Sequence, residues 1–184
     1  MCINKNEELL PYYEKAKLTL DYDPSSGLFT HIKSKGNRKR GSLAGFDNGG
    51  GYTMIKSTIN GNTRRLIAHR LAWFICHGEL PLIIDHINHI TDDNRIINLR
   101  NCNNQQNCMS RLNRSDNRSG SKGVSWHKSS SKWRAYIFHN KKQIHLGLFS
   151  TSAEASKVYE AKAKELFGEF YINNNLITKI KGMK

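Results

Sequence analysis

Hydrophobic positions recur at short intervals along the first seventy residues and predict short elements. Residues 7–17 place apolar side chains at helical spacing, while 18–22 and 28–32 have the composition of two strands joined by an Asp-Pro-Ser-Ser-Gly turn. Residues 52–59 alternate as a strand does, and an Asn-Gly-Asn turn leads into a further strand over 64–68. The pattern therefore predicts a helix followed by two β-hairpins.

The middle of the chain carries a helix and a short apolar strand. Residues 69–77 have helical spacing, and Gly78 is typical of a helix end. Residues 82–84 are an apolar strand that ends at Asp85-His86. Residues 99–109 are predicted to be helical despite their asparagines.

The last third of the chain contains a polar stretch followed by segments with strand and helix periodicity. Residues 110–120 are polar, basic and poor in apolar side chains, which indicates a linker. Three strands and one amphipathic helix are predicted beyond it, over residues 123–127, 132–139, 143–149 and 152–167. Thr151 or Ser152 could cap the helix, and Gly168 ends it.

Charge narrows the possible partners. The 184 residues carry a formal charge of +14, which favours a polyanion such as nucleic acid or an anionic membrane surface. Residues 108–147 contain nine Lys and Arg and one acidic residue, so the basic excess is concentrated in this segment. The alternative to a nucleic-acid-binding segment is a basic face that is merely solvated and has no function. The chain lacks a run of about 20 apolar residues and an apolar N-terminal core, so we expect a cytoplasmic protein with reduced cysteines and no membrane partner.

Candidate chemistry lies at Asp85-His86. Asp85 offers a hard oxygen ligand for Mg²⁺ or Mn²⁺, and His86 can act as a base near neutral pH. Neighbours on a strand point to opposite sides, so the two share a site only if the strand ends or bends there. Asn107 could add a second oxygen ligand, and Asn98 could either orient His86 or hold the adjoining loop.

These residues carry a family resemblance. The runs Ala68–Trp73 and Ile84–His86, with Asn94-Arg95, Asn98–Arg100 and Gln106-Asn107, resemble those of phage HNH homing endonucleases. The resemblance implies a ββα-metal finger in which His86 is the general base, Asp85 and Asn107 bind the metal, and Asn98 is the structural asparagine. His89 departs from the pattern, because the family's turn usually has glycine there.

Simpler interpretations exist for the same residues. An Asp-His pair can be a surface turn, and Asn107 lies in a polar tract. A zinc site is a further alternative, formed by His86, His89, Cys102 and Cys108, although five residues separate the cysteines where two to four are usual.

The C-terminal third resembles a second family. Lys122–Trp126, Lys132–Ile137, Leu146–Phe149 and Ala153–Tyr159 look like the plant Apetala-two or ethylene-response-factor DNA-binding domain. That resemblance implies a three-stranded antiparallel sheet packed on one helix and laid in the major groove. It places Lys122, Ser125, His127, Lys132, Tyr136 and Gln143 against DNA.

Alternation along the strands predicts the same face. Trp133, Ala135 and Ile137 should meet the helix, so Lys132, Arg134 and Tyr136 should face outward. On the last strand we expect Ile144, Leu146 and Leu148 to be buried, with Gln143 and His145 toward DNA. The linker arginines Arg111, Arg114 and Arg118 are expected to follow phosphates.

Together these features predict an α+β protein that is a site-specific, homing-type DNA endonuclease acting on double-stranded DNA as a monomer, in a phage-infected host. A DNA-binding regulator with an inactive nuclease module is the main alternative, and a packaging-associated HNH nuclease with little sequence preference is another. The predicted regions are an N-terminal helix and strand region (1–51), a nuclease domain (52–109), a basic linker (110–120), the DNA-binding domain (121–172) and a tail (173–184).

Overall fold

Two compact units make up the chain, Met1–Cys102 and Asn103–Lys184, each with its own hydrophobic core. The computed structural model describes residues 5–111, 117 and 119–171. Both units combine helices with antiparallel strands, which confirms the predicted α+β class. Within the described residues, every helix is too short or too polar to cross a membrane.

Over residues 5–102, the first unit contains two α-helices and three small sheets. β1 pairs with β2, β4 lies between β3 and β5, and β6 pairs with β7, all antiparallel. A short 3-10 helix, Ile96–Asn98, leads into β7. The elements are α1 (Lys5–Thr19), β1 (Leu20–Asp23), β2 (Leu28–His31), β3 (Phe46–Asp47), β4 (Thr53–Ile59), β5 (Asn62–Ile67), α2 (Ala68–His77), β6 (Ile83–His86) and β7 (Leu99–Cys102).

The core of this unit forms where α1 and α2 pack on the β4–β5 hairpin. Tyr13 of α1 contacts Phe74 of α2 edge-on, with ring centroids 5.8 Å apart. Ile55, Leu66 and Leu71 are almost completely buried beside them. The apolar residues that recur at helical spacing in α2 form one face of the helix, and this face packs against the sheet as expected.

The predicted helix over 99–109 is wrong in its first part. Leu99–Cys102 is strand β7, which pairs with β6 and buries both Leu99 and Cys102. The helix, α3 (Asn104–Ser110), starts only after Asn103. There the Asn103 side chain accepts a hydrogen bond from the backbone of Gln106, and the Gln106 side chain accepts one from the Asn103 backbone, so this capping box sets the helix start.

The second unit packs one long helix on a three-stranded sheet, in the order predicted. After α3 come β8 (Val124–His127), β9 (Lys132–His139), β10 (Lys142–Phe149) and α4 (Ser152–Phe167), with β9 in the centre of the sheet. Thr151 and Glu154 form a capping box at the start of α4. Ala155, Tyr159 and Ala163 of α4 are buried against Val124, Ala135 and Ile137.

A bulge in β10 corrects one predicted orientation. The β9–β10 register shifts between His145 and Gly147, so Leu146 is the extra residue and Leu148 pairs with Arg134. One inserted residue moves later side chains to the other face of a strand. Leu148, which was expected to be buried, is therefore exposed on the face away from α4.

Candidate active site

Asp85 and His86 are the last two residues of β6, and both side chains are buried. Asp85 lies opposite Arg100 of β7 in the strand register. Arg100 donates from Nε and Nη2 to Oδ2 of Asp85, at 3.1 and 2.8 Å, which makes a buried ion pair. Both bonds converge on one carboxylate oxygen, so Arg100 neutralises Asp85 through Oδ2.

His86 lies beside two other aromatic rings. Its ring meets that of His69 edge-on with centroids 4.8 Å apart, and the Tyr52 ring lies 6.1 Å away. His86 is 5% exposed, and its Nε2 has no hydrogen-bond partner among the described residues. Burial lowers its pKa, whereas the Asn94 side chain and the nearby aspartate carboxylates act in the opposite direction. A neutral imidazole with an uncommitted nitrogen can accept a proton.

His69 is the neighbour whose role the sequence did not reveal. It is the second residue of α2, and burial, with smaller contributions from His86 and Arg70, lowers its pKa to about 3. His69 is therefore neutral at any physiological pH. It belongs to the Ala68–Trp73 run that carried the resemblance, but only its contact with His86 gives it a place beside the candidate base.

The loop between β6 and the 3-10 helix is held by the Asn98 side chain. Asn98 accepts a hydrogen bond from the backbone of Asn88 at 3.0 Å and donates to the backbone carbonyl of Asp93 at 2.9 Å. Both hydrogen bonds of the Asn98 side chain therefore lie within the loop, and its catalytic role stays a prediction.

A second set of bonds closes the same loop. The Asp93 carboxylate accepts bonds from Asn88 at 2.7 Å and from Nε and Nη2 of Arg95 at 2.8 and 2.6 Å. The bonds from Arg95 are the main cause that lowers the pKa of Asp93 to about 2. Asp93 stays ionised, so the loop keeps a fixed negative group near His86.

The N-terminal hairpin also supports this loop. The buried hydroxyl of Tyr22 donates to the carbonyl of Asn94 at 2.8 Å, and the backbone of Ile96 donates to Pro24 at 3.2 Å. Gly27 has φ +75, and a Cβ there would lie 2.5 Å from the Arg95 nitrogen. Glycine is required at this position because the two backbones touch.

His89 occupies a left-handed backbone position, with φ +59. Its amide donates to the carbonyl of His86 at 3.0 Å, so the chain turns tightly after the candidate base. Glycine adopts this conformation without strain, whereas other residues do so at a cost of about 1–2 kcal/mol. Histidine thus occupies a left-handed position where the resemblance led us to expect glycine.

Asn107 lies on α3, in the second unit. Beside it, Gln105 donates to the carbonyl of Phe138 at 3.1 Å and accepts from the Asn140 backbone at 3.4 Å. At the other end of α3, Nζ of Lys122 donates to the Met109 carbonyl at 2.7 Å. The helix that carries Asn107 is therefore fastened to the sheet of the second unit.

The zinc alternative finds no support in the described residues. Over 5–111, 117 and 119–171 there is no group of three or more His, Cys, Asp or Glu side chains arranged to hold a metal ion.

The predicted DNA-binding residues share one face of the second unit. The face of β8–β10 away from α4, called here the open face, follows from the strand register and the burial pattern. Arg134 and Tyr136 lie side by side on it, with a cation–π distance of 5.1 Å. The predicted members that the structure brings together there are Ser125, His127, Lys132, Arg134, Tyr136, Gln143 and His145.

Other predicted contacts fall elsewhere. Lys122 is turned to Met109, and burial lowers its pKa to about 8. Arg111 is exposed at the end of α3. Arg114, Arg118 and the predicted tail at 173–184 lie outside the described residues.

Comparison with known proteins bears on the same segment. Residues 67–109 match the family model described as HNH endonuclease. The match starts one residue before α2 and ends inside α3, and it supports the resemblance to HNH endonucleases, while the predicted bounds of the nuclease domain, 52–109, stay a prediction. An uncharacterized HNH endonuclease of Acanthamoeba polyphaga mimivirus is 30% identical over 111 residues. That alignment covers 59% of this chain and 57% of the relative, so the chain spans little more than half of the relative's length.

A solved structure described as DNA binding and cleavage by the HNH homing endonuclease I-HmuI is also similar. It is 22% identical, with a TM-score of 0.40, and the similarity covers 90% of this chain and 85% of the other. The HNH segment contains Asp85, His86, Asn98 and Asn107. The Apetala-two-type domain and a phage origin stay predictions from sequence.

Proposed function

We propose that this protein is a site-specific DNA endonuclease of homing type, which hydrolyses phosphodiester bonds in double-stranded DNA. The observation that carries the proposal is the end of β6, where the buried imidazole of His86 has an uncommitted Nε2 and directly follows Asp85, which is paired with Arg100. This pair lies inside the segment that matches the HNH endonuclease model. The formal charge of +14 supports a polyanionic substrate.

His86 is the general base in this proposal. Its Nε2 accepts the proton of the attacking water, and the lowered pKa keeps the ring neutral at physiological pH. The ring is held against His69 and Tyr52, which fixes its plane. Asn98 contributes by holding the loop that follows His86.

We infer from the resemblance to HNH endonucleases that Asp85 and Asn107, which belong to different units, are the residues that would hold a divalent cation, Mg²⁺ or Mn²⁺. The fit rests on their oxygen donors and on Arg100, which bonds to Oδ2 and leaves Oδ1 of Asp85 as the atom to offer. When bound, such an ion offsets phosphate charge and stabilises the departing oxygen.

The open face of β8–β10 is the proposed DNA-reading surface. Its polar members alternate with residues buried against α4, and strands β8–β10 contain no Asp or Glu. A sheet of this size fits the major groove, where Arg, Lys and Gln reach the base edges. The first unit would then cut where the second unit binds.

A plasmid-nicking assay tests the catalytic proposal. Wild-type protein should nick supercoiled DNA in Mg²⁺ and not in EDTA. His86→Ala should lower cleavage at least a hundredfold, since general bases contribute about 10²–10⁴-fold, and DNA affinity by gel shift should change less than threefold. His77→Ala, an exposed histidine at the end of α2, is the control. Equal loss of binding and cleavage in His86→Ala would contradict the division of roles.

One observation favours a second function, a DNA-binding regulator with an inactive nuclease module. Arg100 forms an ion pair with Asp85, and His86 is almost completely buried. Both features are typical of a structural core that is closed to substrate. The same assay separates the two functions. Tight, sequence-dependent binding without nicking in Mg²⁺ or Mn²⁺ would select the regulator.

A further inference from the structure

Two large apolar side chains are exposed on the open face, which otherwise carries polar and basic groups. Phe138 of β9 is 52% exposed, and Leu148 of β10 is 39% exposed. Leu148 reaches this face only because of the bulge between His145 and Gly147. An exposed apolar residue alone is common, but a bulge that turns a leucine out of the core is a built feature of the sheet.

The charges around these side chains indicate their partner. Leu148 pairs with Arg134 and Phe138 pairs with Gln143 in the strand register, and Lys132 lies further along β9 on the same face. Strands β8–β10 contain no carboxylate, whereas α4, on the other side of the sheet, carries Glu154, Glu160 and Glu165. A basic face without acids fits DNA better than an apolar protein surface.

The chemistry of the major groove then specifies the contact. Base edges there present hydrogen-bond donors and acceptors, and the C5-methyl group of thymine is the apolar group among them. An apolar side chain placed against a donor or acceptor of a base would displace the water bound to that group and offer no hydrogen bond in its place. Phe138 and Leu148 therefore match thymine methyls and disfavour cytosine at the same positions.

The spacing of the two side chains shows that they serve different base pairs. Leu148 lies opposite Arg134, and Phe138 is four residues from Arg134 along β9. At about 3.4 Å per residue this is roughly 13–14 Å. Successive base pairs are about 3.4 Å apart, so one base pair cannot contact both residues.

We propose that Phe138 and Leu148 are specificity-determining residues, each of which contacts the C5-methyl group of a separate thymine in the target. The inference rests on the proposed function, because it takes the open face as the surface that enters the major groove. It goes beyond it by assigning recognition to two apolar residues and by naming the group that they recognise.

Deoxyuridine, which is thymidine without the methyl group, is the probe. Once cleavage mapping has defined a target duplex, each thymine is replaced singly by deoxyuridine and the Kd of the full chain is measured at fixed salt. Two substitutions should each weaken wild-type binding about fourfold, equivalent to ~0.8 kcal/mol for one methyl group. Leu148→Ala should abolish the penalty at one position, and Phe138→Ala at the other. Leu82→Ala, an exposed leucine in the first unit, should keep both penalties.

Several results would overturn the inference. A target whose thymines all tolerate deoxyuridine, or penalties that persist unchanged in Leu148→Ala and Phe138→Ala, would do so. A change of oligomeric state in these variants without any change in DNA binding would assign the patch to protein contact instead. Failure of the proposed function is distinct, since a protein that never nicks or binds unmodified DNA fails before any thymine is replaced.

Discussion

At the scale of single residues, the candidate site is built from neutral imidazoles and one ion pair. His69 and His86 contact edge-on, and burial lowers the pKa of both. Two buried histidines in contact are compatible only while at least one is uncharged, because like charges at this distance repel. Because His69 stays neutral, His86 can take up a proton without a second positive charge on the ring that it contacts.

The pKa of His69 makes stability depend on pH. An unfolded histidine binds a proton near pH 6.5, whereas folded His69 does so only near pH 3. Its contribution to stability is therefore complete above pH 6.5 and is lost as the pH falls from 6.5 toward 3. At pH 5 the loss is about 2 kcal/mol, from ~1.4 kcal/mol per unit.

His69→Phe should remove this dependence and retain ring packing against His86. Urea unfolding at pH 7.5, 6 and 5 should show that the variant loses about 2 kcal/mol less stability than wild type over this range. His77→Phe, on the exposed end of the same helix, should behave as wild type. Parallel pH profiles for wild type and His69→Phe would show that His69 already titrates normally when folded.

At the scale of elements, α3 is held by side chains on both sides of the residue that is proposed to bind metal. Gln105 bridges to Phe138 and Asn140, and the Met109 carbonyl accepts from Lys122. Asn107 lies between these anchors. The boundary between the two compact units falls between Cys102 and Asn103, inside the HNH match. The second unit thus carries the last element of that segment.

Removing the side-chain bonds that hold α3 should affect the Mg²⁺ dependence of nicking more than the affinity for DNA. In Gln105→Ala the helix loses its bond to Phe138 of β9 and its bond to Asn140 in the turn that follows, so Asn107 becomes less well placed. We expect the Mg²⁺ concentration for half-maximal nicking to rise about threefold to tenfold, since a lost hydrogen bond costs about 0.5–1.5 kcal/mol. Kd for DNA measured in EDTA should change less than twofold.

Cys108→Ala is the matched control for this helix, because Cys108 is exposed on α3. It should leave the Mg²⁺ dependence unchanged. If Gln105→Ala shifts Kd for DNA and leaves the Mg²⁺ dependence as in wild type, α3 serves DNA binding rather than metal binding.

The elements also show what sequence can and cannot reveal. Strands β8–β10 and α4 were predicted nearly residue by residue, since each has clear periodicity and turn or cap residues at its ends. The 99–109 segment was not, because the asparagines there fit a strand end and a cap as well as a helix. Residues 99–102 form a strand because they pair with β6, and local sequence does not reveal such a tertiary contact.

Long-range contacts escaped prediction for a related reason. The bond from Tyr22 to Asn94 joins residues 72 positions apart, and local pattern carries no trace of it. Leu148 was misplaced because a single inserted residue reverses a strand's two faces. The candidate residues Asp85, His86 and Asn98 could be found from motif alone, whereas the partners Arg100, His69 and Tyr22 required the fold.

At the scale of the whole molecule, the distribution of charge matters more than its total. The chain carries +14, but in the second unit α4 has three glutamates beside three lysines, whereas strands β8–β10 carry basic residues and no acid. Basic side chains on either side of the sheet are attracted weakly to DNA at a distance. Only those that contact phosphates release the counterions bound to the DNA.

The salt dependence of binding should therefore identify the DNA-facing side. Replacing Lys132 and Arg134 together by glutamine should reduce the slope of log K against log salt by about 1–2, as each lost phosphate contact accounts for about 0.9. Replacing Lys157 and Lys164 of α4 changes net charge equally and should leave the slope within error, because those side chains lie across the sheet. Equal effects of the two pairs, measured by fluorescence anisotropy from 50 to 200 mM salt, would mean that binding follows net charge and that the open face has no special part in it.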